Sequence, residues 1–430
     1  MKLYLKFTEV VRKNVGLFAG SGLLTMIRLG ASLLLLKLVA LIGGSAAIAI
    51  YGQAHNIASM MNGIAASGAG QGVVKMTAQN QGDQSAINGV KSASLALILI
   101  FTALIIAIAG MFWEILVEWA SIGTPSSLEI IAFTIGALLA SVGTLLVSVS
   151  NGLQRLGAVV KTNLVAIAIS MIFTAGFLQL TQDSALTAVP AIYLGIIGAC
   201  QISMLFAYFK WPTIDWKLLR LPALKELSGF ALMAIGSSFM TPAALITVRG
   251  WLIADYGAES AGDWESSRKI LELVTTLMTS YFAMVLLPQL AKVVESKILR
   301  KTTFEAATAL VAMSLVAFAF IYVFRHSLFS IIFNSNFSVS DELLVSRALG
   351  EFLRVPVWIF GFILVVRAEV KLYLITGLLN MLIIVASSRL MIDAYGVIGA
   401  NYAYAMSNGF MLIVSLAVFK KLTSYNAIGA

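Results

Sequence analysis

The chain has 430 residues, of which 60% are hydrophobic and only 11% charged, with a mean hydropathy of +0.94 and a formal net charge of +9. That composition excludes a soluble globular protein and describes an all-α polytopic membrane protein, because so apolar a chain needs lipid as its solvent. The positive charge does not point to a nucleic-acid partner, since its distribution follows membrane topology. Cys200 is the only cysteine, which excludes an internal disulfide and a cysteine-based metal site, and the two histidines, His55 and His326, lie far apart. No metal and no cofactor are expected.

Met1 to Asn14 is a short basic amphipathic lead, expected to lie on the cytoplasmic membrane surface. The first apolar segment is too long for a signal-peptide core and ends in no small-residue cleavage site, so a retained span is expected. Hydropathy places six spans at 16–42, 46–77, 91–117, 127–153, 158–180 and 185–209. Six more follow at 230–256, 262–291, 303–326, 341–366, 370–393 and 396–419. Residues 210–229, with Pro212 and Pro222, read as a cytoplasmic interfacial linker. The expected organisation is an N-terminal six-helix lobe over 1–209 and a C-terminal six-helix lobe over 230–430.

Charge tests that count. With both termini in the cytoplasm, 20 of the 29 Lys and Arg fall on cytoplasmic segments, and the opposite side is acidic (Glu114, Glu118, Asp183, Asp255, Glu259). An offset of 214 residues lays LVALIGGSAA at 38–47 over LIADYGAESA at 252–261, a weak internal repeat of the kind that two related halves leave.

Nine basic residues remain inside the spans. Arg325 and Arg389 sit at outer span ends, where long side chains snorkel. The others need water or a partner, because a charge at a helix centre costs roughly 2.5–3.5 kcal/mol on insertion scales. In the first span Ser21, Thr25, Arg28 and Ser32 form one helical stripe, and Lys37 lies half a turn away, nearer the outer interface. In the second span His55, Ser59 and Asn62 form another. His55 titrates near neutrality and is a proton-carrier candidate, beside the commoner reading of a lone His as a packing or hydrogen-bonding residue. Arg249 stands alone in the seventh span. In the stretch from Gly262 to Lys292, Arg268, Glu272, Thr275 or Thr276, and Thr279 share a face, with Lys269 beside them. Arg347, Glu351 and Arg354 repeat the pattern in the tenth span. Both sets can be intrahelical ion pairs, and both can line one wet cavity. Seven Lys or Arg against Glu272 and Glu351 make such a cavity cationic, suited to a phosphate or diphosphate held by guanidinium forks. SGAGQG at 67–72 lacks the Lys and Ser/Thr of a phosphate loop and reads as close helix packing. No Ser/His/Asp set, metal-ligand spacing or carboxylate pair supports catalysis, so an enzyme is not expected.

The first two spans, RLGASLLLLKLVALIGGSAAIAIYGQAHNIASMMNGIAASGAGQGVVK, resemble the opening of the Wzx-type flippases of lipid-linked oligosaccharides. GDWESSRKILELVTTLMTSYFAMVLLPQLAK is similar to that family's eighth span in Trp264, the Ser280-Tyr281-Phe282 run and Leu286-Leu287-Pro288. The family shares a superfamily with the multidrug and toxic-compound exporters and the peptidoglycan-precursor flippase. The resemblance implies two six-helix lobes around a central cavity in the bacterial inner membrane. It implies alternating access that moves a polyprenyl-diphosphate-linked glycan, an O-antigen or enterobacterial common antigen unit, from the cytoplasmic to the periplasmic leaflet. Membrane lipid, a polysaccharide polymerase and a chain-length regulator are the partners it implies. Under this reading Arg28, Arg249, Arg268, Lys269 and Arg354 bind the diphosphate, and Glu272, Glu351 and His55 are candidates for proton coupling. Lys37, Asn62 and Arg347 are further cavity candidates. Some relatives carry an Asp for ion coupling where this chain offers glutamates. The rival readings are a drug or cation exporter, which calls for an acidic cavity, and a membrane glycan-transfer enzyme, which calls for a long outer loop.

Overall fold

The computed structural model describes residues 2–121, 123, 126–181, 185–208, 221–281, 296–333, 339–366 and 369–424, and of these the side chains from Leu24 onward except those of residues 113, 128, 156, 207, 208, 221–223, 281, 296, 365 and 366. Helices account for nearly all of these residues, and no strand occurs among them. Lipid offers the backbone no hydrogen bonds, so long apolar segments close their own as helices. In chain order they are α1 (Lys2–Ala65), a 3-10 turn (Ala66–Ala69), α2 (Gln71–Gln79), α3 (Gln84–Met111), α4 (Trp113–Ala120), α5 (Ser127–Gly152), α6 (Leu156–Thr181) and α7 (Val189–Tyr208). Then come α8 (Leu221–Tyr281), α9 (Ser296–Val323), α10 (Arg325–Ile332), α11 (Asp341–Gly361), α12 (Ile363–Val366), α13 (Val370–Tyr395) and α14 (Val397–Ser424). Polar side chains start several of them. Asp83 accepts from the Ala86 amide, Ser126 and Glu129 form a reciprocal capping box, and Ser340 accepts from the Leu343 amide.

Nine stretches among the described residues are long and apolar enough to cross a membrane. Two of them, Leu24–Gln79 and Leu224–Ser280, have 56 and 57 residues. At 1.5 Å per residue each would reach roughly 84 Å, nearly three times a hydrocarbon core, so each must hold two crossings. α1 breaks at Gly43 and Gly44, the latter at φ +61°, and α8 breaks at Gly257, at φ +83°. Such backbone angles favour glycine. Gly43 and Gly257 are 214 residues apart, so the weak sequence repeat marks a repeated turn. α11 is long enough to cross and is set apart only by its charges. The result is twelve crossings in two related sets. Crossings 1 and 2 are the parts of α1, and α3, α5, α6 and α7 are crossings 3 to 6. Crossings 7 and 8 are the parts of α8, and α9, α11, α13 and α14 are crossings 9 to 12. The short α4 and α10, each of eight residues, follow crossings 3 and 9 at matching places.

Several boundaries differ from the hydropathy reading. The second span is not one helix, because the 3-10 turn interrupts it before α2. At that turn a side chain on Gly68 would meet Leu97 at 2.6 Å, and one on Gly72 would meet Leu227 at 3.0 Å, so the glycines admit close packing. The third span ends at Met111, and α4 follows separately. Residues 221–229, expected in the linker, are the opening turns of crossing 7, where Leu224 and Leu227 pack against Val73, Met76 and Leu145 of the first half. Residues 210–220, most of the linker, lie outside the described residues, as do Phe282 and Leu286-Leu287-Pro288.

Large apolar side chains such as Met111, Ile172, Leu180 and Leu390 remain more than 70% exposed, the pattern of a lipid-facing surface. The largest interior cluster joins Leu35, Val39 and Ile48 of crossings 1 and 2 to Ile270, Phe318, Phe329 and Leu344 of the second half. It lies at the end of the bundle remote from the termini. At the other end, among the described residues, the clusters stay within halves, around Leu24, Ala31 and Ile167 in one and Val355, Phe360 and Phe419 in the other, apart from the head of α8.

Crossings 2 and 8 approach closely at Gly262, where an added Cβ would stand 1.8 Å from the Ser45 carbonyl oxygen. Backbone cannot yield that distance, so Gly262→Val is expected to abolish folded protein, read as loss of a monodisperse peak in detergent chromatography. Gly110→Ala, where a Cβ meets nothing within 4 Å, is the control and is expected to behave as the parent protein.

Candidate functional site

Crossings 7, 8 and 10 bring their charges into one connected network. Arg249 of crossing 7 is fully buried and donates to Glu265 of crossing 8 and, at 2.8 Å, to the Gln53 side-chain carbonyl of crossing 2. Its guanidinium also lies 5.7 Å from the Trp264 ring centroid. Glu265, also fully buried, takes a fork from Arg268, with Nε at 2.8 Å and Nη2 at 2.7 Å. Arg268 turns its remaining nitrogen to Glu272 at 2.8 Å, one helical turn on. A side chain on Gly52 would come within 3.0 Å of the Glu265 carboxylate, so glycine lets crossing 2 press against it.

On crossing 10, Arg347 donates to Glu351 at 2.6 Å and stacks 3.8 Å from the Tyr404 ring. Glu351 also accepts from Thr275 at 3.0 Å and from the Tyr404 hydroxyl at 3.1 Å. Arg354 closes the circuit, 3.6 Å from Glu351 and 4.0 Å from Glu272. The intrahelical pairs expected from spacing are therefore present, and the Arg354–Glu272 contact joins the two stripes across helices. Lys269, half-buried on crossing 8, has no ion-pair or hydrogen-bond partner among the described residues. Four Arg and Lys269 stand against Glu265, Glu272 and Glu351, an excess of two positive charges. That excess is smaller than the sequence count of seven against two, for two reasons. Glu265 is an additional acid, and Arg28 and Lys37 lie elsewhere.

Exposure sorts these groups. Arg249 and Glu265 are sealed, and Arg347 and Glu351 nearly so, whereas the Glu272 and Arg354 side chains are each 30% exposed. The open groups can meet a ligand, while the sealed ones hold them in place.

The first half presents a separate polar set. Arg28 is exposed and donates to the Asn163 side-chain carbonyl at 2.7 Å, and Gln201 donates to the same oxygen at 3.1 Å. Tyr51, 5% exposed, and Tyr193 belong to the apolar cluster that joins the halves. His55 stacks on Tyr51 at 5.8 Å, touches Ser59 at 3.5 Å and faces Lys269, Glu265, Arg268 and Glu272. Asn62 accepts a long 3.4 Å bond from Ser141 and so faces the core of the first half. Lys37 donates to the Ile331 carbonyl at 2.8 Å near the end of α10. That bond bridges the halves at the sealed end, where a cation also complements the helix C-terminus.

Beside Arg268, Glu272, Arg347 and Arg354 lies a recess of about 90 Å³, which adjoins a cavity of about 270 Å³ among crossings 7, 10, 11 and 12. Met240, Thr241, Arg354, Gly377, Asn380 and Asn408 line both. Glu265, Gln53 and Tyr404, which complete the network, were not among the expected site residues. The one signal for Glu265 is its place three residues before Arg268, on the same helical face.

No family model matches the chain. A transporter structure described as an inward-facing multidrug resistance MATE family member of the MOP superfamily aligns with 93% of this chain and 94% of its own, at a TM-score of 0.71 and 14% identity. The chain has the fold of the MOP superfamily. An outward-facing MATE structure of that superfamily matches this MOP-fold chain at a TM-score of 0.65 and 14% identity, over 96% of this chain and 95% of the other. In sequence, the chain resembles the lipid III flippase of Escherichia coli K12, with 24% identity over 393 residues, 88% of this chain and 92% of that protein.

Proposed function

We propose that this MOP-fold protein is a flippase, carrying a polyprenyl-diphosphate-linked oligosaccharide from the cytoplasmic to the periplasmic leaflet of a bacterial inner membrane. The observation that carries the reading is the net positive network at the heart of the second half, with Arg354 and Lys269 only partly buried. A diphosphate is the anion that such forks and an unpaired ammonium suit. The full-length similarity to a lipid III flippase supports the same substrate class, and an enterobacterial common antigen or O-antigen unit is the glycan proposed. Arg28, Lys269 and Arg354 then contact the diphosphate. Arg268 and Arg249 act from behind them, with Arg347, through the buried glutamates. A polymerase and a chain-length regulator are the proposed recipients of the flipped unit. A cation exporter on the same fold would be served by an acidic cavity, and the excess here is positive.

Two observations support a particular state. The apolar seal joins the halves at the end remote from the termini, and the likeness is higher to the inward-facing than to the outward-facing MATE structure. With both termini cytoplasmic, as the charge asymmetry indicates, the proposed state is inward-facing. Closing the other end while opening this one is alternating access.

The test is reconstitution into liposomes with a fluorescent polyprenyl-diphosphate-linked glycan, scored by accessibility in each leaflet. Protein-dependent flipping is expected, accelerated several-fold by an imposed proton gradient if Glu272, Glu351 or His55 carries protons. A rate indifferent to the gradient counts against coupling, and no flipping at all counts against the substrate.

A further inference from the structure

The cavity among crossings 7, 10, 11 and 12 has features that holding a diphosphate does not require. Asn380 of crossing 11 accepts from the Ser407 hydroxyl at 2.8 Å, which fixes its amide and leaves its NH2 group without a partner among the described residues. Asn408 of crossing 12, 5% exposed, donates to the Tyr404 carbonyl at 2.9 Å, which leaves its side-chain oxygen without one. Both line the recess and the larger cavity. An uncommitted donor and an uncommitted acceptor, each held by its other end, therefore share one wall inside the membrane. Both groups open into the cavity, where a ligand with a matching acceptor and donor can take up their free hydrogen-bonding capacity. The larger cavity is also lined by Trp358 and Tyr373.

From these residues we propose that this cavity is a glycan subsite, which takes one pyranose ring of the substrate and reads it through Asn380 and Asn408 against an aromatic wall. The proposal rests on the flippase reading and adds to it where the sugar is recognised. Ring hydroxyls and acetamido groups donate and accept at once, which matches an amide NH2 and an amide oxygen side by side. The C–H face of a pyranose is apolar, which suits Trp358. Volume points the same way, since about 270 Å³ is just below the usual range for small-molecule sites and accommodates one ring rather than a whole repeat unit. Charge agrees too. Arg354 sits at the junction of the two spaces, between the diphosphate-binding charges and the neutral amide wall. A lipid whose sugar lies in the cavity can thus leave its diphosphate at Arg354.

The experiment compares two probes on the full-length purified protein in nanodiscs. One is a short prenyl diphosphate bearing a single N-acetylhexosamine, and the other is the same prenyl diphosphate without sugar. The parent protein is expected to bind the sugar-bearing probe at least tenfold more tightly. Asn380→Leu and Asn408→Leu, near-isosteric changes, are expected to erase that preference while affinity for the sugar-free probe stays unchanged. A preference that survives in the double variant overturns the subsite. Equal affinity of the parent protein for both probes also overturns it and leaves the diphosphate reading standing. Binding of neither probe overturns the flippase reading itself. Saturation-transfer NMR with free N-acetylhexosamine on the parent protein, which needs no variant to fold, is expected to show contact to ring protons, and silence at saturating sugar contradicts it.

Discussion

Glu265→Gln is expected to destabilise the protein more than loss of any exposed charge, by roughly 3–5 kcal/mol, the range seen when one member of a buried ion pair is removed. The substitution keeps the shape and one acceptor oxygen, removes the charge and turns the other oxygen into an NH2 donor that meets the guanidinium donors. Arg249 and Arg268 would then face each other without their shared counterion, at 0% and 3% exposure. Gln53 and the Trp264 ring remain near Arg249, and Glu272 remains with Arg268, but none of these replaces the forked contact. Thermal unfolding in detergent, followed by loss of the monodisperse peak, reads the effect. Adding Arg249→Met should restore part of the loss, because it removes the cation left without a partner. Stability of Glu265→Gln equal to the parent protein would show that the network is not held by that carboxylate.

Arg28→Ala is expected to abolish translocation while leaving insertion and folding intact. The side chain is exposed and its one resolved anchor is a single bond to Asn163, which keeps its contact with Gln201, so little packing is lost. What is lost is the first half's exposed cation, which under the proposed function is one of the three groups that contact the diphosphate. Arg28→Lys should keep partial activity, since the charge survives without the fork. A reconstituted flipping assay separates the three proteins, and chromatographic behaviour checks that each is folded. Normal transport by Arg28→Ala removes this residue from the site.

The twelve crossings were legible because lipid imposes one rule on every span, and hydropathy reads that rule directly. The doubled helices were legible too, since Gly43 and Gly257 occupy matching places in a repeat visible in the sequence. The linker boundary was less so. Leu224 to Gly229 are mixed in polarity because Leu224 and Leu227 pack on the first half while Lys225 and Glu226 are exposed. Within the site, spacing revealed the pairs on a single helix, such as Arg268 with Glu272 and Arg347 with Glu351. It could not reveal partners on different helices. Glu265 looks like an end charge in the run Gly262-Asp263-Trp264-Glu265, and only the fold brings Arg249 from the preceding crossing against it. Asn163, Asn380 and Asn408 are single polar residues in apolar spans, with no spacing to announce them. Lys37 bonds to the Ile331 carbonyl of α10, a contact between halves that no spacing within one helix announces.

The central claim is that a lipid-linked glycan changes leaflet through this protein, and lipid analysis of cells depleted of it tests that claim most directly. Full-length glycan units, attached to polyprenyl diphosphate and trapped on the cytoplasmic leaflet, are the result expected. Units that reach the periplasmic leaflet at the normal rate would contradict the account.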